Sequence, residues 1–275
     1  MSRNKNRIAN PVSAVPSPPT EAPQQTSPFN FVVPTEMVDI PSEGKFYPEG
    51  HPLCNVDAIE IKHLTAKEED ILTSQSLIKK GVAINKVLES IIVDKRIKIN
   101  DLLIGDKNAL IIASRVYGYG PQYNVGLNCP NCGSEFETTI DLNSFQLKTI
   151  DEDSIDEGIS KTDDNTFIFT LPKSEFVVEF RLLTSRDETN ISKTKNKTST
   201  SVLKAIIVSV NGQTDSFYID RALQSLPILD ASRLKKVYSS LMPDVDMSSE
   251  VECTNCSHEY EVEVPLTAEF FWPNL

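Results

Sequence analysis

Two Cys-x-x-Cys pairs, Cys129/Cys132 and Cys253/Cys256, constrain this chain more than any other feature, because each sits in a copy of one longer pattern. The first copy runs Asn128-Cys129-Pro130-Asn131-Cys132-Gly133-Ser134-Glu135-Phe136-Glu137-Thr138-Thr139-Ile140-Asp141-Leu142. The second runs Glu252-Cys253-Thr254-Asn255-Cys256-Ser257-His258-Glu259-Tyr260-Glu261-Val262-Glu263-Val264-Pro265-Leu266. Both fit Cys-x-Asn-Cys-x-x-Glu-aromatic-Glu-x-x-β-branched-x-Leu without a gap. A Cys-x-x-Cys turn brings two thiolates to one metal, and the strand after it carries an aromatic residue, Phe136 or Tyr260, able to shield the site. A closed structural zinc site takes four ligands in a tetrahedron, so two such knuckles complete one zinc ribbon. Cys129, Cys132, Cys253 and Cys256 are therefore expected to hold one structural Zn2+, stapling two distant regions and closing the stretch between them as an insertion. Redox use fits less well. It favours one Cys-x-x-Cys at a helix start in a thioredoxin-like setting, whereas these pairs flank strand-like sequence. A catalytic zinc keeps an open position, and four thiolates leave none for His258, which stands beside the second pair.

Charge narrows the partners. The formal net charge of -12 and pI near 4.8 oppose general binding to phosphate backbones, which depends on Lys and Arg. No apolar stretch approaches the roughly 20 residues that cross a bilayer, so no membrane partner is expected. The N-terminus has basic residues but no apolar core of a secretory signal. A reducing cytoplasm is the expected compartment, where paired cysteines more often hold metal than form disulfides, and the Asn-x-Ser/Thr matches at Asn190 and Asn196 are read as chance.

Residues 1–36 are rich in Pro, Ser, Thr, Gln and Asn and are expected to form a disordered tail, lacking the apolar groups that offset ordering entropy. Residues 37–121 read as an extended lead-in segment, from Val38 to Pro48, followed by a helical domain. Ala58 to His63 alternates as a half-buried strand does. Thr65-Ala66-Lys67-Glu68 is a capping box that opens a helix running to about Lys80, with Gly81 suited to its end. Ile84, Val87, Leu88, Ile91 and Ile92 form one apolar stripe of a second helix. A third starts at Asp106, a plausible N-cap, and continues through Ala109, Leu110, Ala113 and Val116.

Residues 122–148 read as the first zinc knuckle, with strands from Tyr123 to Ile140. Residues 149–249 read as an inserted α/β segment. Within it, Thr149 to Asn165 is an acidic connection without periodicity, read as a surface loop. Thr166–Leu171 and Glu175–Phe180 read as a strand pair turning at Pro172-Lys173-Ser174. Ser185-Arg186-Asp187-Glu188 offers another capping box, and Leu203 to Val210 fits helix or strand equally. The last helix buries Leu229, Leu234, Val237, Tyr238 and Leu241 and stops at Pro243. Residues 250–275 hold the second knuckle and an aromatic end, Phe270-Phe271-Trp272-Pro273, read as core packing or as a partner contact through Phe271-Trp272. The fold class is α+β.

Other chemistry-bearing residues are weaker. Cys54 and His51 are near each other but a pair defines no site. His63 ends a strand. Gly118-Tyr119-Gly120 follows a helix where phosphate loops precede one, so it reads as a turn. Asp151-Glu152-Asp153 reads as solvated loop.

Several segments together resemble one phage family. They are Ile40-Pro41-Ser42-Glu43-Gly44-Lys45-Phe46-Tyr47-Pro48, Leu64-Thr65-Ala66-Lys67-Glu68-Glu69-Asp70-Ile71-Leu72, Leu102-Leu103-Ile104-Gly105-Asp106-Lys107-Asn108-Ala109-Leu110 and Arg115-Val116-Tyr117-Gly118-Tyr119-Gly120, followed by the Cys129 knuckle. In this order they are similar to the baseplate hub assembly proteins of T-even-type contractile-tailed bacteriophages, well over residues 38–145 and more loosely to the second knuckle. The resemblance implies a non-enzymatic hub component or assembly factor. It would contact other hub proteins in the host cytoplasm during assembly, with the virion as a further location. It supplies no catalytic residues. Gly105-Asp106 within it reads as a helix start, Gly turning the chain and Asp accepting amides. The alternative function is a zinc-ribbon nucleic-acid-binding regulator, which requires a basic face near the ribbon.

Overall fold

The computed structural model describes residues 32–150, 158–193, 198–266 and 268–271. The expected tail up to residue 31, the run Asp151-Glu152-Asp153 and Trp272 lie outside them. Alternation in Ala58–Lys62 (β2) buries Ile59 and Ile61 on one face, and β2 pairs antiparallel with Thr35–Asp39 (β1), Val38 opposite Ile59. The chain enters the next helix through a capping box. Glu68 accepts the Thr65 amide at 3.0 Å and the Thr65 hydroxyl as well.

The expected single helix to Lys80 is two. Ala66–Thr73 (α1) and Gln75–Lys79 (α2) are separated by Ser74, which is extended at φ -67°, ψ 103°. The Thr73 hydroxyl bonds back to the Glu69 carbonyl at 2.9 Å, and the Ser74 amide reaches only to Ile71. Such local bonding by Ser and Thr competes with the helical ladder. Gly81 ends α2 at φ +66°, with Val82 N–H on the Leu77 carbonyl and Gly81 N–H on that of Ile78, a Schellman closure. Ala83–Ile91 (α3) buries Val87, Leu88 and Ile91 as its stripe predicts.

Ile104–Tyr119 (α4) starts before the expected Asp106 cap, which lies inside its first turn. Asp106 is fully buried and faces another segment altogether. Its carboxylate accepts the Ser42 amide (3.0 Å), the Ser42 hydroxyl (2.7 Å) and the Tyr47 hydroxyl (2.6 Å), and Tyr47 in turn accepts the Leu103 amide (3.0 Å). Asp106 is a clamp on the lead-in segment. Gly105 is not a turn but a close approach: a Cβ there would collide with the Pro243 carbonyl and the Asp244 Cα.

Two hairpins follow from the knuckle sequences, Gln122–Asn128 (β3) with Glu135–Asp141 (β4), and Ser248–Glu252 (β11) with Glu259–Glu263 (β12), once strands are numbered along the chain. Between them Gln146–Lys148 (β5) pairs antiparallel with Asp244–Asp246 (β10), so the bases of the two hairpins are already joined by backbone hydrogen bonds. The intervening segment is a four-stranded antiparallel sheet in the order β6-β7-β8-β9: Ile159–Lys161, Phe167–Thr170, Val177–Phe180 and Ile207–Val210. β6 lies in the stretch expected to be loop, drawn into place by pairing with the buried β7. The ambiguity of Leu203–Val210 resolves as both states. Helix Ser199–Ile206 ends where strand β9 begins, and Asn211 and Gly212, both at positive φ, turn the chain after it.

Four helices belong to this segment: Ser185–Lys193 (α5), Ser199–Ile206 (α6), Ser216–Ser225 (α7) and Ile228–Leu241 (α8). The box at the start of α5 is displaced by one residue. Asp187 accepts the amide (2.9 Å) and hydroxyl (2.8 Å) of Thr184, while Ser185 is buried and gives its amide to the Leu102 carbonyl. α7 was not foreseen. Asp215 caps it by accepting the Phe217 and Tyr218 amides at 3.0 Å each. In α8, Leu234, Val237 and Leu241 are buried as expected, but Leu229 is on the solvent side because buried Asp230 faces inward in its place. The helical region, the sheet and the C-terminal turn share one core from Val38 to Phe271. Phe270 and Phe271 are fully buried in it, which corrects Phe271 as a partner-binding element.

Candidate metal centre

The tips of the two hairpins meet. The four Sγ atoms of Cys129, Cys132, Cys253 and Cys256 all lie within 4.8 Å of one another. Cys129 and Cys256 are 3.7 Å apart and Cys132 and Cys253 3.8 Å. A tetrahedral ion with metal–sulfur bonds of about 2.3 Å sets its sulfurs about 3.8 Å apart. A disulfide would need about 2.05 Å. The cysteines are free thiols at metal-ligand spacing.

The repeat in sequence becomes a two-fold repeat in geometry. In the first knuckle Cys129 N–H bonds to the Ser134 carbonyl (3.0 Å) and Gly133 N–H to the Cys129 carbonyl (2.9 Å). In the second Cys253 N–H bonds to His258 (3.0 Å) and Ser257 N–H to Cys253 (2.9 Å). Gly133 and Ser257 occupy the same left-handed position, at φ +71° and +53°. The Asn that both copies share gains a role that sequence reading did not give it. Asn131 Nδ2 donates across to Cys256 Sγ, and Asn255 Nδ2 to Cys132 Sγ, each at 3.7 Å. Its signal was present in the sequence, since Asn is one of the few identities the two knuckles keep.

Donors around Cys132 and Cys253 favour the thiolate that a metal requires. At Cys256 the His258 amide favours it too, but burial and the neighbouring Cys132 and Cys129 sulfurs push that thiol up to about 11. The Ser134 hydroxyl, 2.7 Å away, and the Ser134 amide hold the Cys132 thiol down to about 5. Burial pushes Cys253 up, and the amides of Asn255 and Cys256 more than offset it, so its thiol also lies below the ordinary value. One side of the cluster is roofed by apolar groups: Phe136 and Tyr260 meet edge to face at 6.5 Å and pack with Leu127 over buried Cys129 and Cys253.

The other candidates are elsewhere. His258 stacks on Tyr260 at 5.9 Å and is not drawn into the cluster. His51 stacks on Tyr47 at 4.6 Å with Nδ1 accepting the Leu53 amide, and Cys54 joins no ligand group among the described residues. His63 stacks on Tyr117. Gly118 packs against the Leu64 side chain and Gly120 ends α4 at φ +86°, so neither cradles an anion. Arg115, in the same motif, is fully buried. It donates to the carbonyls of Phe270 (3.2 Å), Gly120 (2.6 Å) and Gln122 (3.2 Å), joining the end of α4 and the start of β3 to the C-terminal turn.

The ordered motifs therefore mark structural joints: Ser42 and Tyr47 on Asp106, Gly105 on Pro243, Arg115 on Phe270. The family profile described as T4 bacteriophage base plate protein matches residues 34–272. The chain belongs to that family. No curated protein and no solved structure matches it. This baseplate protein is of a structural family and acts through protein contacts rather than catalysis. Among the described residues no helix is long and apolar enough to cross a membrane.

Proposed function

We propose that this baseplate protein is a component or assembly factor of the tail baseplate hub, and that Cys129, Cys132, Cys253 and Cys256 hold one structural Zn2+. The match to the baseplate family over nearly the whole described chain carries the reading. Its partners are other hub proteins, met in the host cytoplasm as the baseplate is built; the finished virion is the second place to look for it. Zinc suits the donor set, because four thiolates in a tetrahedron at these distances match a closed structural site.

The rival nucleic-acid regulator needs a basic face beside the ribbon. The hairpins offer the reverse: residues 122–141 and 248–263 contain no lysine or arginine and carry carboxylates such as Glu135, Glu137, Glu250 and Glu261. Phosphate backbones are repelled by such a surface. Capture of the tagged full-length chain from infected cells tests the function. Recovery of hub proteins is expected, and recovery of polymerase or nucleic acid without tail proteins would overturn it. Native mass spectrometry with and without a chelator tests the metal, with one zinc per chain expected.

A further inference from the structure

The strand β1 keeps an open outer edge, and two hydrogen bonds that flank it show which residues face that way. His63 N–H reaches the Pro34 carbonyl (3.0 Å), and Ile40 N–H reaches the Asp57 carbonyl (2.8 Å). Bonded and non-bonded pairs alternate along an antiparallel ladder. Glu36 and Val38 therefore bond to β2, while Thr35, Met37 and Asp39 turn their amides and carbonyls away from it. Among the described residues no strand lies on that side, and no group bonds to those amides or carbonyls. Met37 is 59% exposed there. Natural sheet edges are commonly blunted by proline, lysine or a bulge, and Thr35–Asp39 has none of these.

A groove of about 340 Å³ opens beside this edge, starting at Val38, the buried residue of β1. Its floor is one face of α4: Ala109, Ile112, Ala113 and Val116 stand at i, i+3, i+4 and i+7. Phe145 and the exposed Leu147 add to its apolar wall. A third strand beside β1 would lie about 4.8 Å beyond it and drop every second side chain into this groove. No lysine or arginine lines the groove, and Asp39 at its lip has no ion-pair partner among the described residues.

We propose that the outer edge of β1 takes up an extended segment of another baseplate protein as a third strand. Alternate apolar side chains of the segment fill the groove over α4, and a lysine or arginine on it meets Asp39. This rests on the protein-contact function above and specifies the form of one partner. Unpaired main-chain groups select an extended chain over a helix, whose backbone is already bonded internally. A second copy would pair two edges that both carry Asp39 and, from Val32 to Asp39, no lysine or arginine. Nucleic acid would meet no cation in the groove.

The test uses the full chain during infection, with Asn143, exposed at the groove, replaced by the photo-crosslinker p-benzoylphenylalanine and the adducts sequenced by mass spectrometry. An adduct on a segment of a baseplate protein with alternating apolar residues and a lysine or arginine is expected. Met37→Pro removes only an outward amide, where edge strands accept proline, and Met37→Ala keeps that amide. The adduct yield should fall about tenfold or more in Met37→Pro, which leaves a partner carbonyl unbonded, and persist in Met37→Ala. Equal yields in these two variants overturn the proposal, as does an adduct on a second copy or on nucleic acid, or no adduct. If Met37→Pro lowers the melting temperature, Leu147→Asp at its exposed position decides instead: the same loss is expected, and wild-type yield overturns the proposal. Tag capture separates the two levels. Hub proteins recovered without any adduct sink the strand-edge contact and leave the hub function standing. If the wild type recovers none, the hub function itself fails.

Discussion

Asn131 and Asn255 show how much one residue adds to a metal-ligand set. Each reaches across the two-fold axis to the outermost cysteine of the other knuckle, so the sulfur that faces solvent still has a donor. Outer-shell partners of this kind are worth about ten- to a hundredfold in metal affinity. Asn131→Ala should weaken zinc binding about tenfold, read by competition with a chromophoric chelator, without changing the one-to-one stoichiometry. Ser257 presents the complementary case. It holds the left-handed conformation that Gly133 holds in the first knuckle, at a steric cost of about 1 kcal/mol for a residue with a Cβ. Ser257→Gly should therefore raise stability by up to about 1 kcal/mol in urea unfolding, while Gly133→Ala lowers it. The four cysteines that cluster were legible in the sequence because the repeat is local. The crossing of the Asn side chains was not, because it depends on how the two tips are opposed.

At the scale of elements, the joints matter more than the helices they connect. α5 begins where Asp187 takes the Thr184 amide and a two-pronged contact from Arg181, at 2.8 and 2.9 Å. Burial raises the Asp187 carboxyl, but Arg181 and Thr184 more than offset this and hold it below the usual range. Its ionisation therefore favours the folded state above the unfolded carboxylate value of about 3.9. That contribution is lost as pH falls through the lower folded value. Asp187→Asn should cost about 1 kcal/mol or more at pH 7 and flatten the loss of stability as pH falls below the unfolded carboxylate value of about 3.9, measured by urea titrations at successively lower pH. α4 shows a second kind of joint. Gly105 lets the Pro243–Asp244 backbone lie against the helix, and Asn108 then holds Asp244 at 3.0 Å. Gly105→Ala should destabilise by about 1–3 kcal/mol through overpacking; a melting temperature equal to wild type would falsify the close-approach role. Helix existence was largely readable from periodicity. Helix ends at Thr73 and Thr184 were not, since Ser and Thr neighbours offered alternative bonds that only the packed surroundings choose between.

For the whole molecule, a metal at the four cysteines would be a smaller staple than their spacing suggests. The intervening segment is not closed at the cysteine cluster alone. β5 and β10 pair at the hairpin bases, Asp106 clamps the lead-in segment, and Arg115 ties the C-terminal turn to α4. Binding free energies of roughly 10–16 kcal/mol belong to zinc-finger peptides that are unfolded without the ion, whereas here a continuous core stands beside the site. Chelation should thus lower the melting temperature and loosen amide exchange in β3, β4, β11 and β12, while the amides of α4 and of β7–β8 stay protected. Loss of protection throughout would show that the metal holds the entire fold.

The identity of the four clustered cysteines, the helical stripes and the strand pair β7–β8 were determined by the sequence alone, because each depends on neighbours within a few residues or on two matching copies. Tertiary structure decided the rest: that Asp106 clamps instead of capping, that Gly105 is a contact, that Phe271 is core, and that Leu229 faces out. In each case the deciding partner is far along the chain. Asp230 turns α8 only because Lys173 and Ser174 present unpaired amides to it, and no periodicity in residues 228–241 records that fact. The outward turn of Ile228 and Leu229 follows from that choice.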